Sequence, residues 1–446
     1  MKTGFAKHCI NPPLGYPIVG YYHERLAKGI LDDLYVRAVA FDDGETKSVI
    51  IALDLCILPA SYYAELREMV AEECGLEPDA VVINLSHTHT GPVIGKDFAS
   101  GKEVGTEYQN FLTYTIRDAA LYAFEDLKDS RFFVAYNKAE GVSFVRRYRM
   151  KDGSVQTNPG PKNPDIDHVL SEADSTVRVL KIKREGAKDI CLVNFATHPD
   201  SVGGDYISAD WPGTVCDTVE KSFGNVNCVF LLGPQGDTNH INPHPSKGEE
   251  ATYFIDFDNV PRSKAHSELR GHQVAGAVIS VYDLAEEIPT GKIGYSSKMV
   301  TIPSHKENDR LEEATKIQEL YKAGRTEELP YKGMELTTIL AESKRIVNLA
   351  NGPDSFTYRF SSMNIGDFAI AGFAGEPFTE IGKRVFKESP FEHTFLCCLT
   401  DSGAYFPTTK AFSEGGYEAR GSSIAPGADD IIVENMCGML KELKNN

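Results

Sequence analysis

Four apolar runs of the 446-residue chain end in groups that can bind a metal or move a proton. Val81-Val82-Ile83-Asn84-Leu85-Ser86 leads into His87-Thr88-His89, and the run 191–197 leads into His198-Pro199-Asp200. The run 228–232 leads into a Gly-rich turn holding Asp237, Asn239 and His240, and the run 369–373 leads into Ala374-Gly375-Glu376-Pro377. Imidazole nitrogen and carboxylate oxygen are the ligand atoms of zinc-type sites, and such groups are costly to bury at the ends of apolar strands unless they serve one another. Ligands of α/β proteins bind outside the carboxyl ends of the strands, so the four ends are expected to line one cleft. In an extended segment residues i and i+2 face the same way, which lets His87, His89 or both reach a common centre. Singly, each group has a blander role: a surface histidine pair, a packed imidazole, a capping glutamate, an Asx-turn aspartate. Their recurrence argues for chemistry.

Several alternatives lack their marks. The chain has no Gly-x-Ser-x-Gly elbow and no dinucleotide-binding Gly-x-Gly-x-x-Gly. His23-Glu24-Arg25-Leu26-Ala27 fails the zincin pattern at its last position, and the segment 95–103 lacks the hydroxyl residue of a phosphate-binding loop. A metal-dependent hydrolase is the reading left.

Strands are expected at 48–57, 80–85, 131–136, 176–182, 189–195, 225–232, 292–302, 357–373 and 394–399, where β-branched and apolar residues concentrate. Helical periodicity marks 60–74, 107–127, 267–287, 309–323 and 429–443. The mixed order predicts an α/β fold of layered mixed sheets flanked by helices, with the site at strand C-terminal ends. No internal repeat or linker is legible, so residues 1–446 read as a single catalytic domain, with 309–351 as a helical insertion.

A formal net charge of −18 opposes binding to nucleic acid or an anionic membrane surface. No run approaches the length of a membrane span, and the N-terminus has no apolar signal core. Nine cysteines, odd in number and without Cys-x-x-Cys, read as buried thiols of a reducing compartment, so a cytoplasmic protein is expected.

The segments Ser86-His87-Thr88-His89-Thr90-Gly91-Pro92, Ala196-Thr197-His198 and Gly375-Glu376-Pro377 occur in that order, followed by Ala404-Tyr405-Phe406-Pro407-Thr408-Thr409 and Gly416-Tyr417-Glu418. Together they resemble the catalytic domain of the neutral/alkaline, non-lysosomal ceramidase family, zinc amidases that cleave the N-acyl bond of ceramide. The resemblance implies Zn2+ held by His87, His198, Glu376 and Tyr405, with His89 beside it, although spacing alone lets either histidine take the metal. It implies further that Arg146 and Tyr417 hydrogen-bond the substrate carbonyl or its oxyanion. Arg147 is the alternative to Arg146, and Asp237 completes the catalytic set.

Two features depart from the family. Its Gly-Asp-Val-Ser-Pro-Asn motif stands here as Gly236-Asp237-Thr238-Asn239-His240-Ile241-Asn242, so Asn239 fills the serine position. No segment matches the family's C-terminal β-rich domain, which reads as a short form. The expected activity is hydrolysis of a small-molecule N-acyl amide, with room for substrates more soluble than ceramide and for a homo-oligomer. A zinc esterase or lactonase, and a metal-stabilised binding protein without catalysis, are the alternatives.

Overall fold

Alternation of side chains along Tyr35–Asp42 and Lys47–Leu53 divides the core into layers. Val36, Ala38, Ala40, Val49, Ile51 and Leu53 pack against helices, while Val39, Phe41, Ile50 and Ala52 face a second sheet. The computed structural model, which describes residues 1–306 and 308–445, thus stacks helices, a large mixed sheet, a smaller mixed sheet and helices again. The α/β layering expected from sequence is the observed architecture.

The large sheet runs Val226–Leu232, Asp189–Phe195, Thr176–Arg184, Lys128–Lys138, Lys2–Cys9, Tyr35–Asp42, Lys47–Leu53, Val81–Leu85, with Glu286–Ile288 also pairing to Lys128–Lys138. The second sheet orders Ile293–Pro303, Ser355–Ile365, Phe368–Gly372 and His393–Cys397.

One strand order occurs three times. In residues 2–125, Lys2–Cys9, Tyr35–Asp42 and Lys47–Leu53 pair antiparallel in succession; the helix Ala60–Cys74 crosses to Val81–Leu85, parallel to Lys47–Leu53, and the helix Thr106–Glu125 follows. Residues 128–282 repeat this with Lys128–Lys138, Thr176–Arg184, Asp189–Phe195, the helix Asp210–Phe223, Val226–Leu232 and the helix Lys264–Tyr282. Residues 293–445 repeat it with Ile293–Pro303, Ser355–Ile365, Phe368–Gly372, the helix Thr379–Glu388, His393–Cys397 and the helix Ala428–Asn445. Each unit makes an excursion between its first and second strands, at 10–34, 139–175 and 304–354. The third of these is helical, built around Leu311–Lys322 and Gly333–Ala350.

Several expectations change. The repeat is invisible in the residues because it is one of topology. The predicted strand 357–373 is two strands, since Gly366 at φ 60° turns the chain between them. Lys2–Cys9 and Tyr35–Asp42 are central strands that escaped notice, the first because Lys2, Lys7 and His8 dilute its apolar pattern. Pro212 and Gly213 disguise the helix Asp210–Phe223. No helix among the described residues is long and apolar enough to cross a membrane.

The units meet at strand ends, sewn by two buried asparagines. Asn84 accepts from the Leu232 amide (2.9 Å) and donates to the Cys398 carbonyl (2.6 Å), joining all three units. Asn194 donates to the carbonyls of Leu231 and Leu396, each at 2.9 Å.

Candidate metal centre

The strand Val81–Leu85 stops two residues before His87, which adopts a left-handed backbone at φ 64°. Strand alternation therefore does not orient His87 and His89. A turn, not a pleat, aims both rings at one point. The Ser86 and His87 amides still donate to the carbonyls of Leu53 and Leu55, which holds this uncommon conformation in place. His87 Nδ1 donates to the Cys56 carbonyl at 2.7 Å, leaving Nε2 with its lone pair toward the interior.

His198, from the second unit, is oriented in the same manner, with Nδ1 3.3 Å from the Gln235 carbonyl. Glu376, from the third, follows the strand Phe368–Gly372 and receives a hydrogen bond from Gln235 Nε2 (3.0 Å) on Oε2. His87 Nε2, His198 Nε2 and Glu376 Oε2 form a closed triangle whose sides are all 3.3 Å. All three residues are buried, and they are a group whose ligand atoms could share a metal ion.

The triangle joins electron pairs. With both Nδ1 positions committed as donors, two imidazole Nε2 atoms and a carboxylate oxygen face each other in a buried space, where only a shared cation, a proton on His87 or a metal ion, relieves the repulsion of their electron pairs. Ligand bonds of about 2.0–2.1 Å in a tetrahedral set give ligand-to-ligand edges of about 3.3 Å. Burial opposes charge on His87, but Glu376 and Cys56 hold its pKa well above the ordinary imidazole value. His198 is pushed well below that value by burial and then by Arg146, His87 and His89. Glu376 stays ionised despite burial, owing to His87, Gln235 and Arg146. The residues fit a divalent cation.

Tyr405 is the register partner of Glu376 in a two-residue parallel ladder, and the Glu376 amide donates to the Ala404 carbonyl at 2.7 Å. Its ring stacks near His198, with centroids 6.4 Å apart. Burial and then Glu376 raise its pKa, which Arg146 opposes through a 3.1 Å hydrogen bond to the phenol oxygen.

His89 Nε2 lies 3.3 Å from His87 Nε2, and its Nδ1 is unpartnered 3.8 Å from Asp200 Oδ1. Burial lowers the His89 pKa to about 3, with Asp200 opposing. Asp200 is held by the Tyr21 hydroxyl at 2.8 Å and by a two-pronged contact from Arg262.

Arg146 lies opposite, its Nε on Glu418 Oε1 (2.6 Å) and its Nη2 on the Gly236 carbonyl (3.0 Å). Arg147 points away and fastens the carbonyl of Gly415 at 2.7 Å. Tyr417 meets the Tyr22 hydroxyl at 2.6 Å, with its ring 6.2 Å from that of Tyr405.

Asp237 is buried but committed elsewhere. Its carboxylate accepts from the amide and hydroxyl of Thr379, both at 2.8 Å, and from Ser171. It fixes the segment after Glu376 and does not face the triangle. Asn239 likewise donates to Asn158 (2.7 Å) and accepts from the Ile241 amide. Sequence reasoning missed Gln235, Asp200, Tyr22 and Glu418 as parts of the site. Glu418 adjoins Tyr417 and Asp200 follows His198 by two residues, so proximity was a signal for those two; Tyr22 carried none.

No protein-family model matches the chain. Among solved structures, neutral ceramidase from Pseudomonas aeruginosa superposes with a TM-score of 0.74 at 16% identity, over 100% of this chain and 74% of that one. The chain shares its fold with neutral ceramidase. A ceramidase complexed with C2 matches at TM-score 0.72 and 16% identity, over 100% of this chain and 75% of the other.

Proposed function

We propose that the protein is a zinc-dependent amidase that hydrolyses an N-acyl bond. The observation that carries this is the 3.3 Å triangle of His87, His198 and Glu376, one residue from each unit. The fold shared with ceramidase supports the choice of bond.

In this reading His87, His198, Glu376 and Tyr405 hold the ion. Zinc in such a set would acidify a bound water and polarise the amide carbonyl. His89, whose neutral form is favoured by burial, takes up a proton and delivers it to the leaving amine, with Asp200 placed to steady the imidazolium. Arg146 carries a buried positive charge fixed by Glu418 and Gly236, and with the Tyr417 hydroxyl it binds the carbonyl oxygen as charge develops there. Asp237 and Gln235 are positioning residues, holding the backbone behind Glu376 and the Glu376 carboxylate itself.

The test is amine release from a panel of N-acyl compounds, each with a matched ester, by protein purified with and without zinc. Zinc-dependent amide cleavage is the expected result. Ester-only turnover would reassign the bond. Zinc binding without turnover of either class would make the chain a binding protein.

A further inference from the structure

The excursions of the first two units each send a side chain to the site, Tyr22 from 10–34 and Arg146 from 139–175. The third, 304–354, sends Arg345 from the helix Gly333–Ala350. Its guanidinium interacts with Tyr22 and Tyr417 and packs over Gly421, the last residue of the short helix Tyr417–Gly421, where an added Cβ would fall 2.7 Å from Nη2.

Like Arg25, which donates to the His89 carbonyl, the partly buried Arg345 lacks the ion pair that Arg146 and Arg262 make. Arg146 is neutralised by Glu418 and Arg262 by Asp200 and Asp258. Glu342, one turn before Arg345, is taken by Arg310 and approached by Arg420 at 3.9 Å. Among the described residues no carboxylate forms an ion pair with Arg345, and its Nε is buried without a hydrogen-bond partner. Glu342 attracts it from a distance, but a partly buried guanidinium with no ion-pair partner of its own can pair with an anion that a ligand brings. A planar carboxylate is the group that matches the fork of an arginine.

We propose that Arg345 is a specificity-determining residue that selects amide substrates bearing a carboxylate beyond the scissile bond, bound by Arg345 and Tyr22. The proposal rests on the amide-hydrolase reading for the identity of the bond, but not for the binding of the anion. Tyr417 keeps its proton for the scissile carbonyl and Tyr22, whose hydroxyl lies 2.6 Å from it, gives its own to the carboxylate, so the two groups of one small molecule are read by neighbouring phenols. Phe98, which is half exposed, meets the ring of Tyr22 edge-on with centroids 5.8 Å apart.

The experiment compares N-dodecanoylglycine, the monoamide of a dicarboxylic acid, and the neutral N-dodecanoylethanolamide, by kinetics and by calorimetric binding to the zinc-loaded full chain. In the native protein one of the carboxylates is expected to have a KM and a Kd at least about tenfold below those of the neutral amide. R345Q should remove most of that ratio, chiefly through KM, and R345K should retain part of it. Which carboxylate wins assigns the anion to the amine or the acyl side. Equal binding of charged and neutral compounds by the native protein overturns the proposal without any variant. A ratio unchanged in folded R345Q, checked by its melting profile, overturns it as well. If no amide is cleaved yet the binding ratio stands and falls with Arg345, the anion site is upheld and the amidase reading fails.

Discussion

Arg146 Nε donates to Glu418 Oε1 over 2.6 Å, and Glu418 is fully enclosed. The second unit thus supplies a cation that the third unit holds in place. Removing the carboxylate strands a buried guanidinium, a loss of about 3–5 kcal/mol. E418A is expected to lower the melting temperature sharply. E418Q, which keeps the hydrogen bond and loses the charge, should fold better and show reduced kcat, separating support from catalysis in paired melting and turnover measurements.

Elemental analysis of protein purified without added metal should find about one zinc per chain. H87A, H198A and E376A should each lose it along with turnover. H89A should keep the metal and lose about 10²-fold or more in kcat, as expected of a group that moves a proton. Loss of zinc in H89A would make that residue a ligand and would overturn the division of roles.

The seam asparagine Asn84 joins the first unit to Leu232 and Cys398. N84A leaves a buried amide and a buried carbonyl unsatisfied, at roughly 1–3 kcal/mol for each such group. A urea melt should show that loss. Unchanged stability would mean that water replaces the side chain.

Acid should weaken the fold through two histidines outside the centre. Burial lowers the pKa of His240 to about 4, and that of His266 to about 2, with His240 and Arg270 adding to the latter. Both take up protons more readily when unfolded, so the stability they contribute is complete above pH about 6.5 and falls as pH drops from there through their folded values. A tenfold difference in proton affinity between the folded and unfolded chain corresponds to about 1.4 kcal/mol. The slope of melting temperature against pH between about 6.5 and 4 should flatten in H240Q relative to the native chain.

What the residues made legible, and what they did not, follows from the range of the interactions. His87, His89, His198 and Glu376 stand out because each interrupts or follows an apolar run, a feature contained within about ten residues. The α/β layering is legible for the same reason. Their convergence is not, because it depends on pairing between strands hundreds of positions apart, such as the Asn84 contact to Cys398. The turn at His87 also escapes, since nothing in Ser86-His87-Thr88 announces a left-handed backbone in a residue other than glycine. Asp237 misleads in the opposite direction: a carboxylate in a Gly-rich turn after a strand resembles a catalytic acid, yet here it anchors Thr379.

The distribution of His87, His198 and Glu376 over three topologically alike units has a consequence for assembly. A fragment holding one or two units contains no complete ligand set, so an ion bound at the triangle stabilises only the fully docked chain, by an amount that grows with the ratio of free metal to its dissociation constant. Openings that would detach any single unit forfeit that contribution entirely. An ion held there would therefore act as a mechanical coupling among the three units, and activity would report that all three are in place.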